Sequence, residues 1–339
     1  MHVPPIIGFL ALSLVASTLP AQTESVASPQ RTDTVLAARP PAVGPTPSSS
    51  DSGSRRSGSA IATSPSWCQP GAEGRRVAQS LVGGAFVAGN VVLHQYFKSA
   101  WWSGERAPKF FLNYDWNGPF LDMDKLGHML GGYMLSETGA TLLKQACMSK
   151  TQATLWSVAH AAAFQLQIEL WDATQKQYGF SPPDMLFNTI GQGLYLVHAF
   201  VPGTQAFTPS MSYSPTQAVI NVRDGKIPGD LRATVDYSGQ TYWMSVDVDT
   251  LLHGRAKKIW PSFLRVSVGT TITDWINPNT GDIMRARRRF LMSLDLDPLK
   301  LPGQKPWWVN IKTGLRHYHF PSPALEYGDG KLYFLAWKR

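Results

Sequence analysis

The spacing of the apolar residues changes once along this chain, and no other feature constrains the fold as strongly. Between residues 76 and 205 apolar residues recur at helical spacing, whereas from about residue 215 they alternate with polar ones. The change predicts an α+β protein, with an antiparallel helical bundle of about four helices over residues 76–205. An antiparallel, β-strand-rich region over residues 206–339 is expected to follow it.

Start signals and short connections delimit the predicted helices. Ser149 and Gln152 form a capping-box pattern, and Ser181 precedes two prolines at the start of another helix. Short loops favour antiparallel neighbours, and glycines such as Gly191 and Gly193 indicate close approach of helix backbones. The first helix is apolar enough that a membrane span stays open as an alternative. The four ranges are about 77–101, 122–148, 149–175 and 181–200.

The first 70 residues indicate export. Residues 1–21 resemble a signal peptide with an apolar run over Ile6–Ala16, and a short N-terminal membrane anchor is the alternative. Residues 22–70 are rich in Ser, Pro and Ala, which predicts a disordered tether. The sequence has only two cysteines, Cys68 and Cys147, which either form a disulfide in an oxidising compartment or stay as free thiols. We therefore expect a periplasmic or outer-membrane location.

Polar residues lie at one-turn spacing on three of the helices. Asp124 and His128 stand four apart, as do Asp184 and Asn188, and Glu169 lies mid-helix in apolar sequence. Such groups can act as acid and base or hold a divalent metal, although each singly also has a structural explanation, such as capping by Asp184. The candidate catalytic and metal-binding residues are Asp124, His128, Glu169 and Asp184. The candidate binding residues are Lys125, Gln165, Asp172 and Asn188.

These residues carry a resemblance to a known family. The run Met123–His128, then Glu169, then Tyr178–Ser181 followed by Asp184, Asn188 and Gly191, resembles the YfiM-like family of predicted periplasmic lipoproteins. The same spacing is more distantly similar to VanZ-like membrane proteins. The resemblance covers about residues 110–200 and implies an envelope location, but no reaction. The chain departs from the lipoprotein description because no cysteine follows its signal.

In the C-terminal third, seven segments alternate as strands do, and residues 277–282 form a turn pattern. In Ser293–Asp297 the acids fall on one face and the aliphatic residues on the other. That alternation suits a sheet with one wet face, and it equally suits strands of an outer-membrane protein. The predicted strands are residues 218–222, 231–237, 242–248, 263–273, 289–297, 307–313 and 332–337.

The net charge of +8 resides mostly in this third, where 18 basic residues stand against 11 acidic ones. With no nucleic-acid-binding module in the sequence, membrane lipid or lipopolysaccharide is the expected partner rather than nucleic acid. Three functional hypotheses follow. The first is a structural or lipid-organising envelope protein, the second a hydrolase or transferase acting on an envelope lipid or cell-wall substrate. The third is a module that binds anionic head groups through Lys125, His128 and the basic strands.

Overall fold

The computed structural model describes residues 66–338. The predicted signal peptide and almost all of the predicted tether therefore lie outside the described residues. At the end of the tether segment, Ser66–Cys68 form a short 3-10 helix in which Cys68 is buried. The described part has helices first and an antiparallel sheet second, so the predicted α+β class is confirmed.

Four long helices form the first half. They are α1 (Glu73–Ala100), α2 (Met123–Gln145), α3 (Lys150–Asp172) and α4 (Pro182–Phe200). The predicted caps are present, because the Ser149 side chain accepts a hydrogen bond from the Gln152 N–H and that of Ser181 from the Asp184 N–H. Helix α2 packs against both α3 and α4 and forms the centre of the bundle.

Glycine allows α4 to approach α2 closely. A Cβ atom on Gly191 would lie 1.9 Å from the carbonyl oxygen of Met129, and one on Gly132 would lie 2.8 Å from that of Asn188. Backbone atoms cannot move aside as a flexible side chain can, so these positions require glycine. Gly193, which the sequence grouped with them, has open space beside it.

The different surroundings of Gly191 and Gly193 predict opposite effects of alanine at these two positions of α4. Gly191→Ala should lower the free energy of unfolding by about 2–3 kcal/mol, because the added methyl group overpacks the contact between helices. Gly193→Ala should raise it by about 0.5–1 kcal/mol, because alanine is the better helix former. Denaturant unfolding of both variants measures this, and equal effects would show that α2 and α4 do not approach each other in this way.

Helix α1 is held to the bundle by a disulfide but is mostly exposed. Cys68 and Cys147 are bonded, which joins the segment before α1 to the end of α2. Among residues 66–338, α1 is the one helix long and apolar enough to cross a membrane, and little of it is buried. Val87 and Val91 are among its exposed apolar side chains.

The second half is built on one six-stranded antiparallel sheet with the strands in sequence order. The strands are β1 (Phe207–Tyr213), β2 (Gln240–Val246), β3 (Leu264–Ile272), β4 (Arg288–Leu296), β5 (Ser322–Gly328) and β6 (Lys331–Lys338). Four short helices lie between them: α5 (Gln217–Arg223), α6 (Val248–Leu251), α7 (Gly254–Ile259) and α8 (Pro306–Leu315). Residues 317–319 hydrogen bond to Met211 on the free edge of β1, so the sheet curls back on itself.

Three of the seven predicted strands are wrong. Residues 218–222 and 307–313 lie in helices α5 and α8, and residues 231–237 form turns. Thr216 caps α5 by accepting from the Val219 N–H, and Pro306 opens α8, so local start signals outweighed β propensity. Strands β1 and β5 were not predicted.

The sheet turns its polar residues inward, which corrects the wet-face interpretation. Asp295 is 1% exposed and pairs with the buried Arg265, while Leu294 and Leu296 face outward. Ser245 Oγ bonds both Ser267 and Asp295, so hydrogen bonds join buried polar residues of β2, β3 and β4. The aliphatic residues, rather than the acids, are therefore the exposed set on β4.

Candidate functional site

A buried lysine organises the polar residues of the bundle. Lys125 lies on the first turn of α2 with no exposed surface, and its Nζ is 2.9 Å from one carboxylate oxygen of each of three residues. Burial lowers the pKa of Lys125, but the carboxylates outweigh this and raise it above its ordinary value. The ammonium group therefore stays charged and occupies the centre of the carboxylates. The three partners are Asp115, Asp124 and Asp184.

His128 stands one turn further along α2, beside the same cluster. Its Nδ1 is 3.0 Å from Asn188 Oδ1, an atom that also accepts from Gln165 Nε2. An amide oxygen only accepts, so His128 Nδ1 carries a proton and donates it. His128 Nε2 then lies 3.8 Å from Asp184 Oδ2. A ring held by its other nitrogen in this way is typical of histidines that act as ligands or bases.

Glu169, in the middle of α3, has one oxygen satisfied and one free. Its Oε2 accepts from the Ser181 N–H at 3.2 Å, whereas Oε1 has no hydrogen-bond partner among the described residues and lies 3.7 Å from His128 Nδ1. Burial raises the pKa of Glu169 to about 8, and nearby carboxylates add to the shift. At neutral pH this carboxyl group keeps its proton unless a cation comes close to it.

The cluster holds more acids than cations. Burial, with Asp184 adding to it, raises the pKa of Asp124 to about 6, and burial raises that of Asp172 to about 6. Burying unpaired carboxylates is costly, so the excess must be balanced either by protons or by a bound cation. Four carboxyl groups face the two basic side chains Lys125 and His128, namely Asp115, Asp124, Glu169 and Asp184.

Two sets of three ligand atoms are close enough to share a metal ion. The set of Asp115, Asp124 and Asp184 already surrounds Lys125 Nζ, which leaves no room for a second cation. The set of His128, Glu169 and Asp184 has all its ligand atoms within 4.8 Å of one another and includes the free Oε1 of Glu169. It is the better candidate for a divalent metal.

Seven of the eight candidate residues lie in one network in the structure, and the eighth, Asp172, forms its hydrogen bond outside it. Asp172 Oδ1 accepts a hydrogen bond from Trp102 Nε1 at 2.6 Å, an anchor for the segment after α1. Two further residues of the network were not predicted from the sequence. Asp115 lies in the loop before α2, and Gln192 donates to Gln165 Oε1. Gln192 stands four residues after Asn188, so helical spacing carried a signal, whereas the loop gave none for Asp115.

A large cavity adjoins this network. It has a volume of about 770 Å³ and lies between α1, α2 and the sheet. Aromatic and aliphatic side chains form most of its wall, and Asp124, His128 and Gln165 form one polar part of it. Asp124 Oδ1 has no hydrogen-bond partner among residues 66–338. Asp124 and His128 are thus the charged groups of the cluster that a molecule in the cavity would touch. The apolar wall includes Phe97, Leu130, Met134, Met211, Tyr237 and Tyr242.

A second ion-pair cluster lies elsewhere on the cavity wall. Glu137 of α2 pairs with His317 Nε2, while His317 Nδ1 contacts the Pro209 carbonyl oxygen at 2.8 Å. A carbonyl oxygen only accepts, so His317 Nδ1 carries a proton and donates it to Pro209. Arg316 Nη1 is 3.6 Å from the same carboxylate. These contacts fasten the chain between α8 and β5 to the bundle.

The Glu137 cluster predicts a loss of stability in acid. Burial raises the pKa of Glu137, but His317 and Arg316 outweigh it and lower the pKa to about 2 from 4.5. Because the folded-state pKa is depressed, the stabilisation is present above pH 4.5 and disappears as the pH falls to about 2. Wild type should lose about 3 kcal/mol more than Glu137→Gln over this range.

Unfolding titrations at several pH values, compared between wild type and variant, measure this difference. The raised pKa values of the Lys125 cluster are common to both proteins and cancel. Glu105→Gln is the control, because Glu105 forms an exposed pair with Lys176 and should leave the pH profile unchanged. Parallel profiles for wild type and Glu137→Gln would contradict the prediction.

One protein-family model matches the segment of the chain that carries this site. A family model described as predicted periplasmic lipoprotein (DUF2279) matches residues 115–199, about a quarter of the chain. The matched segment contains all eight candidate residues and supports an exported, periplasmic location. No curated protein and no solved structure matches the chain. The YfiM-like and VanZ-like resemblances stay predictions.

Proposed function

We propose that this envelope protein binds an amphiphilic molecule, with the apolar part in the cavity and the head group at Asp124 and His128. The observation that carries the proposal is the position of these two residues on the wall of an otherwise apolar cavity. Cavities of this size and composition, with a few convergent polar groups, are typical of sites for small molecules. The natural source of such a ligand is a lipid of the outer membrane or one that is present in the periplasm.

The charges of the cluster favour a head group that donates hydrogen bonds. Asp124 lines the cavity, its buried Oδ1 has no hydrogen-bond partner among the described residues, and acids outnumber bases around it. A hydroxyl or ammonium group complements that surface, whereas a phosphate would meet repulsion. This argues against the hypothesis that Lys125 binds anionic head groups, since its ammonium group is fully buried among three carboxylates.

Competition for an uncharged fluorescent probe, N-phenyl-1-naphthylamine, tests the proposal. Dodecylamine should displace the probe from the full-length protein with a dissociation constant at least about tenfold lower than that of dodecyl phosphate. A charge-assisted hydrogen bond to the ammonium group would provide this difference. Asp124→Asn should remove most of that preference. Asp122→Asn is the matched control, because Asp122 accepts from the Asn117 N–H outside the cavity wall. Tighter binding of the phosphate, unchanged in Asp124→Asn, would refute the proposal.

A second candidate function is a metal-dependent hydrolase or transferase acting on an envelope lipid or cell-wall substrate. The free Oε1 of Glu169 within the His128, Glu169 and Asp184 set favours it. Metal analysis of the full-length protein, purified without chelator, tests it. Near-stoichiometric Zn, Mn or Ca that is lost in Glu169→Gln and kept in Glu137→Gln would support the enzyme. No metal, or equal metal in both variants, would count against it.

A further inference from the structure

The outer side of strands β3–β6 carries contiguous apolar rows. Val268, Met292, Leu325 and Phe334 lie side by side across the four strands, and Phe334 is 71% exposed. Phe290, Tyr327 and Leu332 form a second row beside the first. We call these seven residues the outer apolar face. A contiguous patch of this kind is unusual on a protein surrounded only by water.

The register of the sheet specifies this orientation. A slip of one residue would turn the apolar rows inward and the polar rows outward. The polar side is instead fixed in place, because Arg265 Nη1 donates to the Arg316 carbonyl oxygen and Asp295 Oδ1 accepts from the Phe320 N–H. Trp243 also stacks on His319 with ring centroids 3.9 Å apart. The exposed apolar rows are thus a built feature of the fold.

The helical bundle covers only part of the same side of the sheet. Tyr242 of β2 and Ile272 of β3 pack in one core with Met123 and Leu130 of α2. Tyr242 pairs with Thr270, which pairs with Phe290, so Tyr242 and Phe290 lie on one side of the sheet. The apolar surface therefore continues past the edge of the bundle and is left uncovered over β3–β6.

Basic residues flank the outer apolar face at both ends of its strands. Helix α7, just before β3, carries Arg255, Lys257 and Lys258, with Ile259 81% exposed beside them. At the opposite end Arg285 precedes β4 and Lys331 begins β6, and both are exposed. Strands β3 and β4, of nine residues each, are about 27 Å long. The outer apolar face lies between these two basic ends.

We propose that the outer apolar face docks onto a lipid bilayer that carries anionic head groups. The apolar rows would meet the acyl chains, and the basic residues at both ends would meet the phosphates. A second copy of the chain fits less well, because two such faces packed together would bring basic ends against basic ends. None of the seven residues lines the cavity, so this proposal does not depend on the ligand proposed above.

Co-sedimentation of the full-length protein with vesicles tests the docking. The vesicles contain equal parts of phosphatidylcholine and phosphatidylglycerol, beside pure phosphatidylcholine. Met292→Glu with Leu325→Glu should weaken vesicle binding at least about tenfold, because charged side chains on a lipid-facing surface are unfavourable and acids are repelled by anionic head groups. The control, Leu166→Glu with Leu170→Glu on α3, adds the same charge at other exposed positions and should bind like wild type. Lys257→Gln with Lys258→Gln should weaken binding to the anionic vesicles more than to the neutral ones.

Three outcomes would overturn the proposal. Equal vesicle binding by wild type and the β-strand variant would show that this face does not touch lipid. A loss confined to the α3 variant would move the contact to the bundle. Sedimentation equilibrium without vesicles is expected to show a monomer, and a dimer that Met292→Glu with Leu325→Glu dissociates would assign the face to a second copy. Circular dichroism checks that each variant is folded.

Discussion

Lys125→Met should lower the free energy of unfolding by about 3–5 kcal/mol, the range seen when one partner is removed from a buried ion pair. The methionine fills the space but leaves Asp115, Asp124 and Asp184 facing one another without their shared cation. The loss should be largest at high pH and should shrink on acidification, because without Lys125 the pKa of Asp124 lies above its wild-type value of about 6 and the carboxyl group takes up a proton. Denaturant unfolding at two pH values measures both effects.

Lys176→Met is the matched control for this substitution. Lys176 pairs with Glu105 at 3.0 Å, but both side chains are mostly exposed, so the change should cost no more than about 1 kcal/mol. A similar small loss in Lys125→Met would mean that Lys125 does not hold the three carboxylates together. The cluster would then have to be balanced entirely by protons or by a bound cation.

Removing the disulfide should have an effect of similar size. Cys68 and Cys147 are 79 residues apart, and opening a loop of that length should lower the free energy of unfolding by about 4 kcal/mol through the entropy of the unfolded chain. Helix α1 has few other attachments to α2, so it should also become more exposed to hydrogen exchange. Unfolding of the double variant Cys68→Ser with Cys147→Ser measures this, alongside wild type under reducing conditions.

The disulfide also bears on location, because such bonds form in oxidising compartments. Protein prepared from the cell envelope should have no free thiol on denaturation without reductant. Two titratable thiols per chain, together with unchanged stability in the double variant, would contradict both the bond and the expected export.

The helices were predictable because their start signals are local. Ser149 and Ser181 cap their helices as expected. Each serine Oγ accepts a hydrogen bond from the backbone N–H three residues later, so the whole signal lies within four consecutive residues. Short apolar runs did not show whether a segment forms a strand or a helix. The run around Val219 became a helix because Thr216 caps it, and periodicity over five residues cannot separate strand from buried helix. Strand β1 was missed because its inward residues are serines rather than apolar side chains.

Alternation along a strand also does not say which face points inward. In β4 the sequence has acids on one side and leucines on the other, and only the partners of Asp295 decide that the acids are buried. Helical spacing brought Asp124 and His128 together correctly as neighbours on α2, but their meeting with Glu169 depends on how the helices pack. Asp115 was unpredictable because a loop, rather than a periodic element, carries it to Lys125.

The central claim is that the cavity holds one amphiphilic molecule, and a fluorescence titration with N-phenyl-1-naphthylamine tests it most directly. The full-length protein should bind about one probe per chain, as expected for a single pocket. Thr138→Trp, which places an indole ring in part of the cavity from α2, should weaken binding at least about tenfold, whereas Thr189→Trp on the exposed side of α4 should leave it unchanged. Met292→Glu with Leu325→Glu should leave the titration unchanged. Binding as tight in Thr138→Trp as in wild type, with the fold intact, would contradict the proposed cavity site.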